Sequence, residues 1–254
     1  MTRNAATALC LALFCAVSVP AQASCDASSF PIAVDIGHTA ESPGAISAHG
    51  RTEFEYNLAL GQQLAASLKS AGFPVGTIII SGEGKAQLKQ RVDKANRLDP
   101  RLLISIHHDS AQERFLKAWE FQGRILRHAD QFSGFSLFVS RANAEPEDSK
   151  KFAMLIADQL LDGGLSFSSH HAMNVVGERK QLLDPARGIY EYTNLRVLKD
   201  SRMPAVLLEA GVILNRDEEL ALASPQRRMA ISDAITTAAI QMCGGNGAGG
   251  LALR

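Results

Sequence analysis

Two histidines and two glutamates in this chain have the side-chain types that metal-assisted hydrolysis needs. His38 follows a short apolar run. Glu53 stands just after Thr52 at the head of an amphipathic stretch. His107 ends a second apolar run, and Glu209 closes the run Pro204-Ala205-Val206-Leu207-Leu208-Glu209. Two imidazoles and one carboxylate are the ligand set of an open catalytic zinc site, and a spare carboxylate is what such a site uses as its general base.

Each residue also has a plainer reading. Glu53 can be a favourable charge in the first turn of a helix. Its partners on one helix face are Asn57, Leu60 and Leu64, so it is expected to look inward, while Glu55, on a more polar stripe, looks outward. His107 and His108 are adjacent, and successive strand residues point to opposite faces, so only one of them faces a given site. Asp35 can orient an imidazole or cap the turn before His38. Glu209 can be the partner of Arg51, Arg187 or Arg216, or a general base whose pKa its surroundings have raised.

The elements that must position these groups alternate. Residues 32–36, 75–80, 102–107, 135–140 and 205–210 read as strands, and residues 52–71, 85–98, 149–161 and 225–242 as helices. Thr52 is a good N-cap, with Glu55 three residues on as its capping-box partner. Residues 39–51 read as a loop. Continuously apolar strands alternating with helices give an α/β fold with a largely parallel sheet. Ligands of such sheets bind beyond the carboxyl ends of the strands, where His38, His107 and Glu209 fall. Residues 111–133 and 164–187 read as insertions, either of which can form a rim over the site. His128, His170 and His171, which lie in them, are expected to be solvated rather than metal-bound.

The chain of 254 residues is long enough for one domain with a substantial core. Residues 1–23 read as a cleaved signal peptide: Arg3 is its positive n-region, residues 8–19 its apolar segment, and Ala21-Gln22-Ala23 its cleavage site. Gln22 disfavours a lipid anchor on Cys25. The remaining chain divides into a catalytic domain over 24–243 and a glycine-rich tail over 244–254, without a membrane span and without room for a separate wall-binding domain. Cleavage leaves Cys25 and Cys243, which suit a disulfide in an exported protein. It also leaves 25 basic residues against 26 acidic ones, a balance that gives no footprint for nucleic acid or for an anionic membrane. The chain lacks a Gly-x-Ser-x-Gly elbow and a P-loop, and its mature cysteines lie at the chain ends, so serine, nucleotide and cysteine chemistries lose their motifs.

Six segments, in order, resemble the zinc-dependent N-acetylmuramoyl-L-alanine amidases, the amidase-3 family of cell-wall hydrolases: IAVDIGH at 32–38, PGAI at 43–46, TEFEYNLAL at 52–60, LKQRVDKAN at 88–96, LLISIHHD at 102–109 and MPAVLLEAGVILN at 203–215. The resemblance implies a single three-layer α/β domain with a mostly parallel, twisted sheet flanked by helices. It implies one zinc ion held by His38, Glu53 and His107, with Glu209 as the catalytic residue. The implied substrate is peptidoglycan or a muropeptide, cut between N-acetylmuramic acid and L-alanine, in the periplasm or outside the cell. Some relatives carry a regulatory helix that a protein activator removes, and residues 164–187 are where such a device would fit. The chain departs from the family pattern at Thr39-Ala40-Glu41-Ser42, where glycines are usual, at His108, where a small residue is usual, and at Val212-Ile213-Leu214. Two other functions fit the same residues: a zinc carboxypeptidase or N-acyl amino acid amidohydrolase, and a non-catalytic peptidoglycan-binding protein.

Overall fold

The apolar runs become the centre of one sheet in the computed structural model, which describes residues 25–246. The chain order is β1 (Ile32–Ile36), α1 (Glu53–Ser70), β2 (Val75–Ile78), α2 (Lys85–Leu98), β3 (Leu102–Asp109), a hairpin of β4 (Lys117–Phe121) and β5 (Arg124–His128), β6 (Ser136–Val139), α3 (Pro146–Asp162), β7 (Leu182–Asp184), β8 (Ile189–Glu191), α4 (Arg196–Lys199), β9 (Ala205–Val212), α5 (Arg216–Ala223) and α6 (Pro225–Asn246). The main sheet runs β2-β1-β3-β9-β6-β8-β7. Its central pairings are parallel, while β6 meets β9 and β7 meets β8 antiparallel. Helices α1, α3 and α6 cover one face, and α2 and α4 the other, giving three layers.

Helix α1 starts where its capping box says it should. Thr52 accepts from the Glu55 amide, and the Glu55 carboxylate accepts from the Thr52 amide. Glu53, Asn57, Leu60 and Leu64 are buried along one stripe, and Glu55 is exposed. Gly61 lets this helix lie directly on β1, because a Cβ there would run into the Ile36 side chain. The loop before α1 is tied down by Glu219 of α5, whose carboxylate accepts from the His49 amide at 2.9 Å and from the Tyr56 hydroxyl at 2.7 Å.

Strand alternation decides which histidine goes where. Val34, Ile36, Ile104 and Ile106 pack under α1, whereas Ala33, Leu103 and Leu207 pack under α2 and α4. His108 therefore goes to the α1 side. It is 2% exposed and bonded at 2.8 Å through Nδ1 to Asn57 Oδ1, beside the Tyr56 ring. His107 and Glu209, which are register partners on β3 and β9, belong to the other side.

Several boundaries differ from the sequence reading. β2 stops at Ile78 rather than at residue 80, as befits the edge strand, and β9 continues to Val212. Helix α6 runs on through Gly244 and Gly245 to Asn246, three residues into the expected tail. Its last turns are anchored by buried Ala239 and Met242 and by a Cys25–Cys243 disulfide, which outweigh the poor helix propensity of glycine. Residues 111–133 contain the β4–β5 hairpin, seated by Trp119, whose Nε1 donates to the Ala48 carbonyl at 3.0 Å. Residues 164–187 hold a 3-10 turn at His170–Ala172 and β7, and no α-helix. The expected leader at 1–23 and the rest of the tail lie outside the described residues. Among the described residues, no helix is long and apolar enough to cross a membrane.

Two measurements test these contacts. The disulfide joins residues 218 apart, so replacing both cysteines with serine should remove about 2–5 kcal/mol and lower the melting temperature by roughly 5–15 °C. An unchanged melting curve would show that the bridge does not constrain the unfolded chain. Burial pushes the His108 pKa down to about 3. The unfolded chain thus takes up a proton between about pH 6.5 and 3 that the native chain refuses, and stability falls as pH falls across that window. His108→Gln should flatten the dependence of unfolding free energy on pH by about 1.4 kcal/mol per unit there, read by urea denaturation at a series of pH values.

Candidate metal centre

The sheet turns its carboxyl edge toward a cleft of about 770 Å³, whose lining includes His38, His107, Asp109, His171, Glu178 and Glu209. His38 enters from the residue pair after β1. Its backbone is left-handed, φ 63°, a conformation that non-glycine residues hold only when their surroundings enforce it. Arg91 of α2 does the enforcing. It is 3% exposed, donates to the carbonyls of both Ile36 and His38, and pairs with Asp35 at 2.7 Å. Asp35 also accepts from the Ser105 hydroxyl at 2.7 Å. Asp35 therefore neither touches an imidazole nor caps the turn; it anchors the arginine that fixes His38. Removing one partner of such a buried pair costs about 3–5 kcal/mol.

The three expected ligands come together. Glu53 Oε2 lies 3.0 Å from His38 Nε2, and Glu53 Oε1 lies 3.0 Å from His107 Nδ1. One donor atom from each of the three residues falls within 4.8 Å of the others. Glu53 Oε1 also accepts from Asn57 Nδ2 at 3.1 Å, which steers the carboxylate from one turn further along α1. Burial would raise the Glu53 pKa, but the hydrogen bonds and charges of His107 and His38 more than offset it and hold the carboxyl well below its usual range. Gly37 makes the approach of His107 feasible. A Cβ at that position would overlap the imidazole ring, so glycine is required here for space rather than for an unusual turn.

Glu209 has the opposite environment. Its Oε2 is enclosed and, among the described residues, has no hydrogen-bond partner. Burial, reinforced by the charges of Asp109 and Glu53, pushes its pKa well above the ordinary carboxylate value. The three arginines that could have paired with it are engaged elsewhere: Arg51 with Glu55, Arg187 with Asp158 and Asp184, and Arg216 with Asp130.

The donor set suits zinc. Two neutral-capable imidazoles and a carboxylate converge without a cationic side chain among them, and the adjacent unpaired carboxyl faces the same cleft. A carboxylate shared between two imidazoles is also how such residues pair when their nitrogens are aimed at a common point.

Two residues that the sequence reading passed over or set aside, Arg91 and His171, line this cleft, and a third, His170, is buried beside it. Arg91 lies in the LKQRVDKAN segment but carries no spacing signal for its role. His170 and His171 were expected in solvent. Instead His170 is 3% exposed, and His171 lies between Asp109 at 2.7 Å and Glu178 at 3.0 Å. The 3-10 turn packs them against Phe132 and Phe138 of the domain, which is why an apparently polar insertion is buried. His128, by contrast, sits partly buried at 3.0 Å from Asp130, away from the cleft lining.

Known proteins share this family and fold. A family model described as N-acetylmuramoyl-L-alanine amidase matches residues 32–241. A Haemophilus influenzae protein named "Probable N-acetylmuramoyl-L-alanine amidase AmiB" is 27% identical over 233 residues, covering 81% of this chain and 50% of that one. The amidase Ami1 from Mycobacterium smegmatis has a similar fold, with a TM-score of 0.64 at 20% identity, over 86% of this chain and 99% of that one. The CwlD amidase from Clostridioides difficile, solved in complex with the GerS lipoprotein, gives a TM-score of 0.63 at 20% identity, over 84% and 98%. The likeness of the solved structures extends to the single α/β domain and its helix-flanked sheet. With the family model spanning nearly all of the described domain, the chain belongs to the N-acetylmuramoyl-L-alanine amidase family of peptidoglycan-cleaving hydrolases.

Proposed function

We propose that this chain is a zinc-dependent amidase that cuts between the lactyl group of N-acetylmuramic acid and the L-alanine of the stem peptide. His38, Glu53 and His107 would hold the ion. The observation that carries the reading is Glu209: a half-buried residue whose enclosed Oε2 has no hydrogen-bond partner among the described residues, in register with His107 and lining the same cleft. Zinc in this site supplies Lewis acidity, drawing charge from the amide carbonyl and making water nucleophilic near neutral pH. Glu209 takes the proton from the attacking water. Glu209 then passes that proton to the leaving amine of alanine as the C–N bond breaks. Arg91 and Asp35 hold His38 in its left-handed conformation throughout.

The protein works outside the cytoplasm in this reading, after removal of residues 1–23. The Cys25–Cys243 disulfide supports an oxidising compartment. The complex of the CwlD relative with GerS supports a protein partner for this chain as well.

Mutants and products separate the alternatives. Glu209→Gln should keep its metal and lose about 10²–10⁴-fold in turnover, while His38→Ala and His107→Ala should lose the ion of this trio and turnover with it. Product analysis on purified muropeptides should give intact stem peptides and peptide-free glycan. Release of single amino acids would point instead to a carboxypeptidase. Binding to sacculi without any cleavage by zinc-loaded protein would point to a wall-binding role. Wild-type turnover by Glu209→Gln would remove it from the mechanism.

A further inference from the structure

Outside the trio of His38, Glu53 and His107, a second group of donors meets at the wall of the same cleft, which Asp109 and His171 line and His170 backs. Asp109 Oδ2 lies 2.7 Å from His171 Nε2 and 3.5 Å from His170 Nε2, and one donor atom from each falls within 4.8 Å of the others. Metal ligands about 2.0–2.1 Å from a tetrahedral ion are separated by roughly 3.3 Å, which these two distances bracket.

The remaining nitrogens are already taken. His170 Nδ1 is bonded to Ser168 Oγ at 2.7 Å, and His171 Nδ1 to Glu178 Oε2 at 3.0 Å. Gln112 Nε2 in turn donates to Glu178 Oε1 at 2.7 Å. This is the arrangement in which a metal-binding imidazole is found, its far nitrogen hydrogen-bonded so that the ring is fixed and the near nitrogen aimed. His170 supplies the second observation. Its Nε2 is enclosed, has no hydrogen-bond partner among the described residues, and lies 3.5 Å from a carboxylate oxygen that His171 already occupies. A buried donor or acceptor left unsatisfied costs about 1–3 kcal/mol, so something is expected to compensate it.

We propose that Asp109, His170 and His171 form a second site for a divalent first-row transition metal ion, zinc being the natural candidate for two imidazoles and a carboxylate. The site is separate from the trio of the proposed zinc centre and stands whether or not that trio binds. Its charge would offset Asp109, one of the two carboxylates that press on Glu209.

Metal stoichiometry decides the matter. Mature protein stripped with a chelator is dialysed to equilibrium against zinc and analysed by elemental mass spectrometry, with circular dichroism on each variant. The wild type should hold two ions per chain, and His38→Ala and His171→Ala should each hold one. The near-isosteric Asp109→Asn should match His171→Ala, which guards against loss of fold in the latter. In His38→Ala, added zinc should still raise the melting temperature, because an ion bound only by the native state stabilises it. A wild type with a single ion that disappears in His38→Ala and persists in His171→Ala overturns the second site and leaves the first intact. A single ion that persists in His38→Ala and disappears in His171→Ala does the reverse.

Discussion

Buried carboxylates set the terms for this site. Asp35, Glu53, Asp109 and Glu209 are drawn to one edge of the sheet, and each must be paired, hydrogen-bonded or neutralised, because an isolated carboxylate pays several kcal/mol to leave water. The structure answers differently for each. Asp35 receives the full charge of Arg91. Glu53 is shared between two imidazoles. Asp109 meets two more imidazoles. Glu209 receives nothing, and its answer is a raised pKa.

That inequality is what gives one cleft two kinds of carboxyl chemistry. A carboxylate held well below its ordinary pKa remains an anion and a ligand, whereas one pushed well above it can carry a proton in and out. Arg91 could have erased the difference had it reached the cleft with its charge free. It is instead consumed by Asp35 and by two backbone carbonyls, so its electrostatic effect goes into the backbone of His38 rather than into Glu209. The buried ion pair thus sets the geometry of the site without neutralising its base.

Much of this was legible in the residues, and the exceptions have physical causes. The parallel strands were readable because strands buried on both faces are continuously apolar. Glu53 was readable because a capping box fixes the start of α1, and a fixed start makes helical phase predictable. His107 against His108 was not decidable from the sequence, since the flanking residues are apolar on both faces; only the helix covering each face settles it. Arg91 was illegible because its partner lies 56 residues away, across the sheet. The short strands β7 and β8 are three residues each, too brief for any periodicity. His170 and His171 were misjudged because burial in a 3-10 turn depends on the aromatic residues of other segments. The hairpin was masked by its charges, although Gln122 and Gly123, both with positive φ, form its turn.

The segments beside the site brace its supports. In the loop after His38, Thr39 Oγ1 donates to the Gly82 carbonyl at 2.8 Å and accepts from the Ser42 amide at 2.9 Å, while Glu41 accepts from the Gly82 amide at 3.0 Å. The loop is thereby fastened to the segment that follows β2. His108 fills the α1 side with a ring bonded to Asn57, the same residue whose amide nitrogen steers Glu53, so His108 couples to that carboxylate through one side chain. In the run Val212-Ile213-Leu214, the Ile213 carbonyl accepts from Ala48 at 2.9 Å and the Ile213 amide donates to the Asp109 carbonyl at 3.0 Å. That run therefore braces both the loop that carries His38 and the strand end that carries Asp109. Fixed supports on both sides leave the carboxyl of Glu209 as the group in the cleft whose state is set by its surroundings rather than by a partner.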